Sequence, residues 1–235
     1  MKNVLIFGAS GHGSVVLDIL ESEGSYNPIG FLDSFKPVGT KVNGYEVLGS
    51  ETDLPRLMDA YGISGGIVAI GDNWSRKTVV GRIRATVPNF EFISAVHPSA
   101  LIAKNVKIGE GSVLMPGVIV NSNARIGNFC ILNTASSLDH DGKMEEYSSL
   151  APKVCTGSHF LLGKYSAVCI GVNVVECVRI GEHTVVGAGS LVTRALPDRV
   201  VAYGSPARII RRRQVGEPYL SGLRKAEVLT VPLSR

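Results

Sequence analysis

From Val96 the chain divides without a gap into units of six residues, opening VHPSAL, IAKNVK, IGEGSV, LMPGVI and closing at VTRALP. Sixteen of the seventeen first positions are aliphatic or Met144, and Thr156 is the departure. Unpatterned sequence does not hold such a register. The period is that of a parallel β-helix, in which each hexapeptide gives one short strand and a corner, and three make a coil. The leading aliphatic is expected to point inward. Fifth positions are mostly small or β-branched (Ala100, Ser112, Ala124, Ser136, Ser148, Ser166, Thr184, Ser190), as a tight corner requires; Phe160 and Leu196 break this rule.

Residues 1–95 follow another pattern. An apolar run, KNVLIF, enters the turn Gly8-Ala-Ser10-Gly11-His12-Gly13, and the amphipathic VVLDILESEG follows: strand, glycine turn, helix. A strand IGFLD ends at Asp33, followed by a turn at Asn43-Gly44, a helical ETDLPRLMDAYG, a strand GGIVAIG, a helix WSRKTVVGRIRATV and a strand FEFISAV. Alternating β and α elements imply a Rossmann-like parallel sheet. The amides of Ser10, Gly11, His12 and Gly13, with the positive end of the following helix, form a cradle for phosphate. The order is G-x-x-G-x-G, not the dinucleotide G-x-G-x-x-G. Asp33, at a strand end, is placed either to meet a ribose or base or to close a turn. Gly71 and Asn73 follow another strand, so two loops at carboxyl ends of parallel strands face one crevice, where such sheets bind ligands. The expected division is 1–95, a nucleotide-sugar-binding domain; 96–207, the β-helix; and 208–235, a basic tail.

Composition narrows the class. The chain has 235 residues, 45% hydrophobic, and no apolar run approaches a membrane span. Glycines arrive too early at the amino terminus for a signal peptide, which reads as cytoplasmic. Cys130, Cys155, Cys169 and Cys177 lack C-x-x-C spacing and are expected to be buried, reduced thiols. From Arg208 onward there are seven basic and two acidic residues against a net charge of +4, so the rest is close to neutral and no nucleic-acid footprint is implied. Arg211, Arg212 and Arg213 are expected at a solvated helix end, and EPYLSGLRKAEVL has helical potential. His97 marks the domain junction; His159 and His183 fall at outward positions, solvated or interfacial. No histidines stand five apart as zinc ligands would, and no metal is expected.

The repeat together with Gly204-Ser205-Pro206-Ala207-Arg208 looks like the acyltransferases that use acyl-CoA. With GASGHG, FLDS, AIGDNWSRK and NTASSLDHD, the chain resembles the bacterial nucleotide-sugar N-acetyltransferases and sialic-acid O-acetyltransferases over about residues 1–210. That resemblance implies a left-handed β-helix, a homotrimer, acetyl-CoA in the groove between neighbouring β-helices, and a nucleotide amino sugar on the amino-terminal domain. In LDHDGK, His140 is third and projects outward as a general base, worth ~10²–10⁴-fold. Asp141 would fix its tautomer, with Asp139 as a rival. Asn133 would position the sugar, orient the histidine, or only bond within its corner. A backbone amide near Gly157-Ser158 is the expected oxyanion donor. Ile170, Gly187, Ala188 and Arg208 would lie along CoA. Relatives often carry a second histidine nine residues past the base, where this chain has Ser149; Lys143 and Glu145 also depart. The activity expected is acetyl-CoA-dependent N-acetylation of a nucleotide-linked 4-amino-4,6-dideoxy sugar. Its alternatives are O-acetylation of a sialic acid or related sugar, and a non-catalytic trimeric scaffold or nucleotide sensor.

Overall fold

Bounded by glycine and apolar throughout its inner part, Lys2–Phe7 forms the central strand β1 of the amino-terminal sheet. The computed structural model describes residues 1–220. After β1 come helix α1 (Gly11–Glu23), β2 (Tyr26–Leu32), β3 (Lys41–Val42), β4 (Tyr45–Gly49), α2 (Leu54–Tyr61), β5 (Ile63–Val68) and α3 (Asn73–Thr86). The sheet order is β3-β4-β2-β1-β5, parallel except for the β3–β4 hairpin. Asn43 and Gly44, at φ 48° and 87°, supply the two left-handed residues that a tight hairpin requires. Gly13 is required by close approach: a Cβ there would lie 2.1 Å from Gly8 O, so only glycine lets α1 start against the end of β1. The expected strand FEFISAV is not continuous. Phe92 makes a single bridge to Gly66, and Ala95–Val96 already belongs to the β-helix.

In the β-helix, each two-residue strand pairs in parallel with the one eighteen residues later, as Ile119 with Ser137 and Arg125 with Lys143. Three faces result. The first carries Ile131–Leu132 and Ser149–Leu150, the second Leu101–Ile102 and Ser137–Leu138, the third Lys143–Met144 and Leu161–Leu162. The left-handed prism is filled by the leading aliphatics: from Leu114 to Val192 every first-position residue is at most 5% exposed. Thr156, the polar exception, also points inward, where its hydroxyl donates to Ser137 O (3.2 Å) and accepts from Asp139 N (3.3 Å). Phe160 is fully buried, one coil on from Gly142. From Asn105 to Gly189 the fourth residue of every unit has positive φ, and eleven of these fifteen are not glycine. Left-handed backbone costs a non-glycine residue roughly 1–2 kcal/mol. Burial of the leaders and the coil-to-coil hydrogen bonds hold it there.

One corner joins the two parts. Phe129, Tyr147, Tyr165 and His183, each eighteen residues from the last, stack in series at 5.0, 5.6 and 4.7 Å between ring centroids. Trp74 of α3 packs on Tyr165 and His183, and Phe92 on Phe129. Beneath them lies Arg76, fully buried, donating to Phe129 O (2.9 Å), Ile70 O (2.8 Å), Gly71 O (3.1 Å), Asn73 Oδ1 (2.6 Å) and Tyr147 O (3.4 Å). Burial lowers its pKa, and five oxygen acceptors stand in for solvent.

The arginine run is not a helix end. Val200–Gly204 and Ala207–Arg212 form an antiparallel hairpin on the first face, because Val200 and Ala202 bury one side of it. Arg213 then turns inward and donates to His183 O at 2.8 Å. Most of EPYLSGLRKAEVL, residues 221–229, lies outside the described residues. The cysteines are free thiols, but only Cys130 is buried; Cys155 and Cys177 sit on outward positions and are exposed.

Candidate functional site

His140 stands on the corner between the second and third faces, with half of its side chain exposed. Its Nδ1 lies 2.8 Å from Asp141 Oδ2. A carboxylate only accepts, so Nδ1 carries the proton and Nε2 presents its lone pair outward. Asp141 can reach the ring because its own backbone is left-handed, φ 58°. Asp139, the rival, is occupied elsewhere: its Oδ1 accepts from His140 N (2.7 Å) and Asn121 Nδ2 (2.6 Å). The hydrogen bond to Asp141 raises the His140 pKa above its usual value, and the same bond holds Asp141 below the usual carboxylate range. One coil on, His159 meets His140 edge-on at 5.5 Å, and ligand atoms of His140, Asp141 and His159 lie within 4.8 Å of one another. Ser158 is the residue eighteen beyond His140. Gly157 N is taken by Val174 O at 2.8 Å, whereas no hydrogen bond among the described residues occupies Ser158 N.

Two clefts meet at Gly71. The first, about 470 Å³, opens at the carboxyl ends of β1, β2 and β5 and is lined by Ser10, Asp33, Phe35, Glu51, Trp74 and Arg82 among others. Asp33 is also a turn residue, accepting from Ala9 N (2.8 Å), Phe35 N (2.8 Å) and Lys36 N (3.1 Å), which binds the glycine turn to the loop after β2 and lowers its pKa against the effect of burial. Phe35 is almost wholly exposed at this mouth, a free aromatic face. The second cleft, about 370 Å³, separates the start of α1 from the first face and is lined by His12, Asn133, Ser149, Ile170 and Tyr219 among others.

Several expected residues lie elsewhere than the sequence suggested. Asn133 and His140 occupy different corners, with the second face between them, and Asn133 Oδ1 accepts from Thr134 N at 2.8 Å; it does not orient the ring of its own chain. His12 faces the second cleft, not the glycine-turn cleft, and its buried Nε2 has no partner among the described residues. Burial and the nearby Arg76 cation lower its pKa to about 4. Asn73 is 1% exposed, and it donates to Ser166 O (2.9 Å) while accepting from Arg76, so it fastens α3 to the β-helix and presents nothing to a ligand. Gly13 is packed under Gly8, while Gly11 is exposed at the helix start. Ile170 and Ala188 are eighteen residues apart on one corner, with Gly187 beside them; Ser158 sits on the His140 corner, and Arg208 is exposed on the terminal hairpin. The sequence reading missed Arg76, Tyr219 and the aromatic corner. Only the corner had a signal there, an aromatic or histidine at every eighteenth position from Phe129.

Comparison with known proteins agrees with this architecture. Residues 3–83 match the PglD N-terminal domain, and residues 99–134 the bacterial transferase hexapeptide (six repeats). PerB from Caulobacter crescentus, solved in complex with CoA and GDP-perosamine, is 34% identical with a TM-score of 0.83, over 90% of this chain and 98% of that one. The acetyltransferase domain of PglB from Neisseria gonorrhoeae, in complex with acetyl coenzyme A, is 27% identical with a TM-score of 0.81, over 89% and 99%. A GDP-perosamine N-acetyltransferase from Escherichia coli is 28% identical over 207 residues, covering 85% of this chain and 82% of its own. Matched in sequence, length and fold, the chain belongs to the sugar N-acetyltransferase family that joins a PglD-type amino-terminal domain to a hexapeptide-repeat β-helix.

Proposed function

We propose that the protein transfers the acetyl group of acetyl-CoA to the amino nitrogen of a nucleotide-linked 4-amino-4,6-dideoxy sugar. The observation that carries this is the exposed His140–Asp141 pair, with Nδ1 bonded to the carboxylate and Nε2 without a hydrogen-bond partner among the described residues. The nucleotide occupies the first cleft, with Phe35 against the base and the glycine turn under the diphosphate. The sugar passes Gly71 into the second cleft. The neutral amine attacks the thioester carbonyl carbon while Nε2 of His140 takes the proton from that nitrogen. The resulting oxyanion is held by Ser158 N, and its collapse breaks the carbon–sulfur bond and releases the CoA thiolate, which is then protonated. Asp141 steadies the imidazolium.

His140 and the second cleft flank opposite edges of the second face, so one chain does not bring its own base to its own acceptor. A neighbouring copy supplies the missing corner. The second face carries exposed Leu101 (66%) and Ile119 (40%), an apolar surface suited to self-association. The assembly proposed is a homotrimer with CoA along the seam, contacted by Ile170, Gly187 and Ala188 of one copy and Ser158 of the next; Arg208 reaches its phosphates. Light scattering tests it with an expected mass near three times the 25.0 kDa chain; a monomer that turns over would sink the shared site. Free thiol release from acetyl-CoA, measured with GDP-, UDP- and dTDP-linked 4-amino sugars, tests the reaction. His140→Ala is expected to lower kcat by ~10²–10⁴-fold with binding largely kept. No CoA release with any amino sugar, alongside release with a hydroxyl acceptor, would transfer the assignment to O-acetylation. Undiminished function in the alanine variant would favour a scaffold.

A further inference from the structure

Past the terminal hairpin, residues 214–220 run back over the junction of the two parts. Four contacts set their course. Glu217 takes Arg211 on its side chain (2.6 Å) and Arg213 on its carbonyl, and also accepts from Gln214 N (3.1 Å). Gly216 has φ 76° and lies so close to the Trp74 indole that a Cβ would fall 2.8 Å from its Nε1. The reversal brings Tyr219 into the second cleft, where its hydroxyl reaches Gly71 O (3.0 Å), Ser149 Oγ (3.1 Å) and Asn73 Oδ1 (3.4 Å). Two residues remote in sequence leave it room: Ser149 is small, and Gly71 has no side chain to meet Leu220, whose Cδ1 would lie 3.2 Å from a Cβ there.

We propose that Tyr219, with Leu220 beside it, is a specificity-determining wall of the acceptor pocket, selecting a 6-deoxy sugar over its 6-hydroxy counterpart. The inference rests on the acetyl-transfer reading above. Its argument is the lining: the ring and Leu220 close a pocket whose remaining walls include Ile131, Leu150, Val168 and Ile170. The phenol O–H is turned away onto Gly71 O and Ser149, and burial pushes its pKa up to about 12, so it stays neutral and engaged. Set against the Tyr219 ring and Leu220, a methyl group at sugar C5 meets carbon. Of the polar side chains in the same lining, Ser149 is engaged with the Tyr219 hydroxyl, Asn133 Oδ1 with Thr134 N, and His12 Nε2 is buried, so a hydroxymethyl group on that wall would surrender hydrogen bonds to water.

The test is the ratio of kcat/KM for a nucleotide 4-amino-4,6-dideoxyhexose to that for the matching 4-amino-4-deoxyhexose, using whichever nucleotide supports turnover. An apolar pocket sets this preference at about 10–200-fold for the wild-type chain. Tyr219→Ala is expected to raise the acceptor KM and to cut the preference at least fivefold, leaving the KM for acetyl-CoA unchanged. Tyr219→Phe keeps the ring and keeps the preference. Leu220→Ser, altering a residue already more than half exposed, lowers the preference in a chain that folds, and decides the matter should the alanine variant not fold. No turnover by the wild-type chain removes the acetyl-transfer reading and the wall with it. Wild-type turnover with a preference unmoved in Tyr219→Ala and Leu220→Ser, or with acceptor and acetyl-CoA weakened in parallel, removes the wall alone.

Discussion

Replacing Arg76 by Met keeps a long apolar stem in the junction and removes the guanidinium. Of its five acceptors, Gly71 O keeps the one Tyr219 O–H proton (3.0 Å), but Phe129 O, Tyr147 O, Asn73 Oδ1 and the part-buried Ile70 O lose their side-chain donor. Each buried oxygen left unpaired costs about 1–3 kcal/mol. Part of this returns because a buried cation no longer has to be desolvated, so a net loss of about 3–5 kcal/mol is expected. That is a large share of the roughly 5–15 kcal/mol that holds a typical domain. In a chain of this size it lowers Tm by about 6–20 °C at roughly 2–4 °C per kcal/mol. Arg84→Met on the same helix is the control: Arg84 is 47% exposed, pairs with Glu110 at 2.6 Å and lies over the Phe92 and Phe129 rings, so its loss costs about 1–2 kcal/mol. Differential scanning calorimetry of both variants decides. Equal Tm losses would refute the claim that Arg76, through its five acceptors, is the fastening between the two parts.

Asp141→Asn replaces the charged acceptor that raises the His140 pKa by a neutral one, so the acid limb of the kcat/KM profile is expected to move to lower pH while the plateau falls; a limb that stays in place contradicts the pairing. His12 tests acid sensitivity. Its folded pKa is depressed to about 4 from the usual 6.5, so between those values the unfolded chain holds a proton the folded chain refuses. Stability is complete above about pH 7.5 and is lost as pH falls toward 4, by about 3 kcal/mol at 1.36 kcal/mol per unit. Urea midpoints of wild type and His12→Gln should therefore converge at acid pH; parallel curves would show that His12 does not titrate this way. Gly13→Ala should move α1 away from Gly8 and weaken nucleotide-sugar binding more than acetyl-CoA binding, since a Cβ there has no space; equal binding of both ligands, measured by ligand-shift melts, would count against the two-cleft division.

The six-residue period by itself determined the β-helix, because a coil of three hexapeptides is the way such leaders all reach one interior, and Leu114 to Val192 do so. It likewise placed His140 and Asp141 side by side on an outward corner. It did not reveal that every fourth residue adopts positive φ, since Phe129, Tyr147 and Lys153 have no intrinsic preference for it; coil closure imposes that conformation. Residues acting across long separations were also hidden. Arg76 meets Phe129 and Tyr147, and Tyr219 meets Gly71 and Ser149, and no local periodicity records such pairs. Asn133 and His140, seven apart, read as one site along the chain, yet the prism turns a corner between them. Chemistry-bearing residues within a unit are legible because the repeat fixes their direction; which of them share a cleft is decided by how faces and copies pack, and that is a property of tertiary structure.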